Sequence, residues 1–161
     1  MITKELLVEM FDYKDGQLFW KVMPGCRSDI VGKKAGSKNE NGYERIKVLG
    51  KLRMTHRLVF LMHHGYTPFE IDHIDGNRLN NKIENLREVT KSQNCWNRGT
   101  PKSNTSGIKG VCWHKKAKAW YVQLQVKKKM KYLGIYDDIE LAELVVQEAR
   151  SLYHGEYARN Q

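Results

Sequence analysis

The sequence predicts an α+β chain of two units. The first has a strand, loop, strand and helix core behind a small N-terminal α/β extension, and the second is a three-stranded antiparallel sheet packed on one helix. Three stretches carry this reading. "AWYVQLQV" (119–126) sets Trp120, Val122, Leu124 and Val126 against Tyr121, Gln123 and Gln125, the two-residue period of a strand with one apolar face. "DDIELAELVVQEARSLYHG" (137–155) supplies a helix to cover that face. "IDHIDGNRLNNKIENLREVTKSQN" (71–94) reads as a strand, a loop rich in Asn and Gly, a returning strand "NLREVT" and a short helix capped by Thr90.

In chain order, "TKELLVEMF" places Leu6, Leu7, Met10 and Phe11 at helical spacing. Strands follow in "GQLFWKV" and in "YERIKVL", the latter turned by Gly50-Lys51 into "LRMTH". "HRLVFLMHHG" is a short helix with Thr55 as its N-cap and Gly65 as its stop. "RGTPKSNTSG" lacks any period and marks a linker, so the expected division is 1–98, with the 71–98 motif at its end, then a linker at 99–106 and a second unit at 107–161. In the second unit's helix, Asp138 caps the start, Leu141, Leu144, Val145, Ala149 and Leu152 form the apolar stripe, and Gly155 ends it.

Charge narrows the function. The chain carries a net +10, yet there is no Asp or Glu between Val89 and Tyr136. That segment holds Lys91, Arg98, Lys102, Lys109, Lys115, Lys116, Lys118, Lys127, Lys128, Lys129 and Lys131. One-signed charge concentrated in this way fits a polyanionic partner, because solubility alone is served by interspersed signs. Nucleic acid fits better than anionic lipid, since the lysines lie among strand-like segments rather than on an amphipathic helix. The longest apolar run is "LVFLM" and no leader pattern opens the chain, which points to a cytoplasmic protein. Cys26, Cys95 and Cys112 are odd in number and far apart, so reduced, mostly buried thiols are expected rather than disulfides or a zinc site. Trp20, Trp96, Trp113 and Trp120 are expected in the core.

The exposed sheet face of the second unit offers Tyr121, Gln123, Gln125 and Tyr132, rimmed by the hairpin of Lys127, Lys128, Lys129 and Lys131. Amides on such a face can read base edges while lysines hold phosphates. Here "GIKGVCW", "AWYVQLQV", "YLGIYDDIELA" and "SLYHGEYA" follow the order and spacing of the AP2-type DNA-binding domain, which the last third of the chain resembles. Where that family has arginines on its first strand, Lys109, Cys112 and His114 stand here, and Tyr132 replaces a Trp. The resemblance implies double-stranded DNA as partner, contacted by Lys109, His114 and the residues of the exposed face and hairpin.

Phosphodiester cleavage needs a base for water and a cation for the phosphate and leaving oxygen. Asp72 and His73 at a strand end, with Asn85 before the returning strand and Asn94 in the following helix, can supply them. "IDHIDGNRLNNKIENLREVTKSQNCWNR" resembles the phage-type HNH nuclease motif, and "HRLVFLMHHG" resembles the helix preceding it. That resemblance implies a ββα-metal core in a phage-encoded protein of the bacterial cytoplasm. His73 would be the general base, Asn85 the catalytic-loop amide that orients it, and Asp72 and Asn94 the ligands of Mg²⁺ or Mn²⁺. Asp75, Asn77, Asn80 and Asn81 read as turn residues, His56 as helix-start packing, and His63, His64 and His154 as surface or capping residues. The combination resembles homing endonucleases and implies a DNA endonuclease with 3′-hydroxyl and 5′-phosphate products; one active site per chain predicts a nick unless the protein dimerises or acts twice, with a monomer favoured over a dimer. The alternative is a DNA-binding regulator with an inactive HNH motif, which the intact Asp72, His73, Asn85 and Asn94 set disfavours.

Overall fold

Caps and tight turns set most element ends in the computed structural model, which describes residues 2–22, 28–101 and 103–160; Cys26 and Lys102 lie outside the described residues. The chain divides into two compact units, Met1–Val89 and Thr90–Gln161.

In the first unit, Thr3 accepts from the Leu6 N–H to start α1 (Lys4–Met10), which buries Leu7 and Met10. The helical period runs on into Phe11, but the backbone becomes extended there. β1 (Phe11–Lys14) pairs antiparallel with β2 (Gln17–Trp20) across Asp15 and Gly16, both at positive φ (48° and 80°). This is the Asp-Gly hairpin turn whose backbone matches the twist of its strands. β3 (Ser37–Lys38), β4 (Glu44–Val48) and β5 (Lys51–Met54) form a second sheet in that order, with Glu44, Ile46 and Val48 alternating inward. Its hairpin turns on Leu49 and Gly50 at positive φ rather than on Gly50-Lys51; Lys51 is already paired with Val48.

α2 (Thr55–His64) ends on Gly65 in the left-handed region, as the sequence indicates. Its N-cap, however, is Met54. Thr55 is the first helical residue, and its buried hydroxyl makes no hydrogen bond. Leu58, Val59 and Phe60 pack with Leu7, Phe11, Leu18, Trp20, Ile46 and Val48 into the unit's core. Ile71 and Leu86 join that core from β6 (Glu70–His73) and β7 (Leu86–Val89), an antiparallel pair in which Asp72 faces Arg87 and His73 faces Leu86.

The second unit begins at Thr90, earlier than the division expected after residue 98. Thr90 and Gln93 form a reciprocal capping box that starts α3 (Lys91–Trp96). The physical reason that α3 groups with the C-terminal residues is at its end. Trp96 stacks on His154 with ring centroids 4.3 Å apart, and Lys109 Nζ donates to the carbonyls of Trp96 and Arg98 at 2.6 Å each.

β8 (Val111–His114), β9 (Ala119–Val126) and β10 (Lys129–Tyr136) form an antiparallel sheet with β9 central. α4 (Ile139–His154), capped by the Asp138 carboxylate, packs on one face of it. The face used differs from the expected leucine stripe. Ala142, Val146, Ala149, Arg150 and His154 are buried, whereas Leu141, Leu144 and Leu152 face solvent, Leu152 at 76% exposure. Alanines let the helix lie close to the sheet. At Gly110 the fit is tight enough that a Cβ would sit 2.7 Å from the Gln123 carbonyl oxygen and 3.1 Å from Val146. Two further expectations are corrected: Cys112 and Trp113 are exposed, because both lie on the short edge strand β8 rather than under α4. Among the described residues, no helix is long and apolar enough to cross a membrane.

Candidate active site and nucleic-acid interface

Asp72 and His73 end β6, and both are buried, at 7% and 5% exposure. The antiparallel register sets Arg87 directly across from Asp72, and its guanidinium donates to Asp72 Oδ2 from Nη2 at 3.1 Å and Nε at 3.3 Å. His73 Nε2 lies 3.1 Å from Asn81 Oδ1. Its ring meets that of His56 edge-on at 5.1 Å, and Tyr43 lies 5.6 Å from His56 and 6.1 Å from His73. Burial, then the neighbouring His73 and Arg57 charges, push His56 down to about 3, so it is a neutral imidazole at any ordinary pH.

The loop from Ile74 to Asn85 is held by amides. Asn85 Oδ1 accepts from the Asp75 N–H at 3.0 Å, and Asn85 Nδ2 donates to Asp75 Oδ1 at 2.9 Å and to the Asn80 carbonyl at 2.8 Å. Asp75 accepts further from the Asn77 N–H and from Asn80 Nδ2. Burial raises the Asp75 pKa, but the bonds from Asn80, Asn77 and Asn85 outweigh it and hold the carboxyl below its usual range. Backbone bonds close the base of the loop, from the Ile74 N–H to the Asn85 carbonyl and from the Gly76 N–H to that of His73. From outside, the Tyr13 hydroxyl accepts from the Ile83 N–H at 3.0 Å.

Asp72, His73 and Asn85 are thus gathered at one end of the β6 and β7 pair. Asn94 stands in α3, its N–H bonded to the Thr90 carbonyl, within the second unit. The residues that sequence reasoning missed are Asn81 and Glu44. Asn81, read as a turn residue, is 1% exposed, and its Nδ2 lies 3.5 Å from Glu44 Oε2. No local signal separates it from Asn80, its neighbour in the same "NN" pair.

On the C-terminal sheet, Tyr121 and Tyr132 stack at 5.1 Å, and His114 stacks beside Tyr121 at 6.3 Å. Tyr132 is paired with Gln123 and Met130 with Gln125, so these residues share the face away from α4. Lys127 and Lys128 form the hairpin tip at φ 48° and 66°, exposed together with Lys129. Two further residues of the expected set have partners within the unit. Lys131 is paired with buried Leu124, on the α4 side, with its ammonium over the Tyr153 ring and bonded to its hydroxyl. Lys109 points into the unit to cap α3, and burial with the Arg150 and Arg159 charges pushes its ammonium down to about 8.

An HNH endonuclease family model matches residues 53–95, from β5 through α3. Protein 3.8 of Escherichia phage T7 is 41% identical over 91 residues, covering 56% of this chain and 74% of that protein. An uncharacterized HNH endonuclease, L560, of Acanthamoeba polyphaga mimivirus is 39% identical over 85 residues, 51% of this chain and 44% of its own. A solved structure of the HNH homing endonuclease I-HmuI, concerned with its DNA binding and cleavage, is 32% identical with a TM-score of 0.38, over 50% of this chain and 46% of that one. The chain therefore spans under half the length of the last two. With residues Arg53 to Cys95 matched, this chain carries an HNH endonuclease domain.

Proposed function

We propose that the chain is a metal-dependent DNA endonuclease of the homing type. In this reading it nicks one strand to leave a 3′-hydroxyl and a 5′-phosphate, and its C-terminal residues are an AP2-type DNA-binding module. The observation that carries it is the buried imidazole of His73, next to Asp72 and fixed by an amide-locked loop. His73 draws a proton from a water that attacks phosphorus in line with the leaving 3′ oxygen. Asn85 is a positioning residue that keeps the loop, and with it His73, in one geometry.

Among the described residues, no group of three or more His, Cys, Asp or Glu side chains is gathered as a cation site. The donors in this reading are instead the Asp72 carboxylate and the Asn94 amide oxygen, with water. Such hard oxygen donors fit Mg²⁺ or Mn²⁺ rather than zinc. When bound, the ion would neutralise charge on the phosphate and leaving oxygen. Arg87 would share the Asp72 carboxylate with it.

The proposed DNA surface is the Tyr121, Gln123, Gln125, Tyr132 and His114 face with Lys127, Lys128 and Lys129 at its rim. Lys109 and Lys131 belong to the proposed contact set as well, with their ammonium groups bonded within the unit in this structure. The functional division proposed here, cutting by 1–98 and targeting by 107–161, does not coincide with the compact units, which part at Val89 and Thr90.

Supercoiled plasmid incubated with wild type or His73→Ala, in Mg²⁺, Mn²⁺ or EDTA, tests the reading. Metal-dependent nicking by wild type, a loss of about 10²–10⁴-fold in the variant and equal DNA affinity are expected. Equal nicking by both would remove His73 as the base, and DNA binding without cutting under any condition would replace the nuclease by a regulator. Replacing Lys127, Lys128 and Lys129 together by alanine should flatten the salt dependence of binding, by up to about 3 in the logarithmic slope.

A further inference from the structure

We propose that Asn81, backed by Glu44 and Lys34, is the positioning residue that sets the tautomer of His73. The proposal rests on reading His73 as the general base. A neutral imidazole carries its proton on one nitrogen and its basic lone pair on the other, so a base must be held in one tautomer to present that lone pair. Asn81 can do this because a carboxamide has one accepting and one donating end.

Which end faces His73 is decided on the far side of Asn81. Its Nδ2 faces Glu44 Oε2 at 3.5 Å, a long contact, but turning the amide over would set its oxygen against a buried carboxylate. Glu44 is held in turn by Lys34, with Nζ 2.8 Å from Oε1. The Asn81 oxygen therefore points at His73 as an acceptor, at 3.1 Å, and Nε2 must carry the hydrogen. The basic lone pair is then on Nδ1.

The backbone of Asn81 is fixed as firmly as its side chain. The hairpin turn of β1 and β2 presses on it so closely that a Cβ at Gly16 would lie 2.5 Å from Lys82 N and 2.8 Å from the Asn81 carbonyl carbon. The Tyr13 bond to the Ile83 N–H holds the next turn of chain. Asn80, its neighbour, uses its side chain within the loop on Asp75 instead. The N-terminal extension thus has a role at the active site. β1, the turn after it and β4 carry the groups that hold Asn81 and the chain beside it, and Asn81 holds the ring.

The test uses full-length protein labelled with nitrogen-15 in histidine, at about pH 8, where an ordinary imidazole is neutral. The His73 ring signals are assigned by their absence in His73→Ala. Wild type should show the Nε2-protonated form. Asn81→Ala should mix the two tautomers and slow single-turnover nicking about 10–100-fold, with DNA affinity kept, the usual cost of removing a group that orients a functional histidine. Glu44→Gln keeps the shape, removes the charge that orients the amide, and should shift the tautomer ratio in the same direction; it carries the test if Asn81→Ala does not fold. A wild type in the Nδ1-protonated form, or variants that keep both the wild-type tautomer and rate, would overturn the proposal. Because the nitrogen signals need no turnover, a wild type that never nicks would remove the nuclease reading separately.

Discussion

In the loop from Ile74 to Asn85, amides and one carboxylate take the place of a core, whereas the C-terminal sheet is held to α4 by Val111, Val122, Ala142 and Val146. Hydrogen bonds are directional and each demands its partner, so the loop has one acceptable geometry and fails abruptly when a member is removed. Apolar packing is non-directional and loses stability in proportion to what is cut away. The first kind of order suits residues that must hold an imidazole in place. The second suits a platform whose exposed face can vary in residue type without disturbing what lies beneath.

The comparison is broken most severely at Gly16. Gly16→Ala puts a side chain at φ 80° against the Lys82 backbone and should destabilise the first unit by about 3 kcal/mol, read by urea denaturation, and abolish nicking. Asn85→Ala removes the acceptor of the Asp75 N–H, one donor to the Asp75 carboxylate and the side-chain donor to the Asn80 carbonyl, and should cost about 2–3 kcal/mol.

His56 sharpens the comparison through pH. Its folded pKa is about 3 against 6.5 for an ordinary histidine, so below pH 6.5 the unfolded chain takes up a proton that the folded one refuses. Stability should therefore fall as pH drops from 6.5 toward 3, by roughly 1.4 kcal/mol per pH unit from this group. Denaturation of wild type and His56→Phe at pH 7 and pH 5 should show the shallower loss in the variant. Smallest of all, Leu152→Ser on the exposed side of α4 should stay within about 0.5 kcal/mol of wild type by thermal melt.

Where a signal is local, the sequence is legible. Thr90 with Gln93, Asp138 and Gly65 end their helices as their residue types dictate, and the alternation of "AWYVQLQV" gives β9 its two faces. The failures are non-local. β1 is hidden because Phe11 satisfies the helical period before it. α4 turns its alanines to the sheet because close approach, fixed by Gly110 and Val146, outweighs the larger leucines that the period alone selects. At the candidate site, Asp72 and His73 stand out by their adjacency at a strand end. Asn81 does not, since its partners Glu44 and Gly16 are far away in sequence and only the fold brings them to it.

The fastening of α3 by Trp96, His154 and Lys109 bears on how such proteins could be assembled from parts. A gene fusion joined within 99–106 would look clean on paper, because that stretch has the composition of a linker. It would nevertheless bring α3 across without the aromatic stack and the lysine that seat it. A successful exchange of the C-terminal unit in this architecture would have to be spliced ahead of Thr90, or carry Trp96, Lys109 and His154 together as one heritable set.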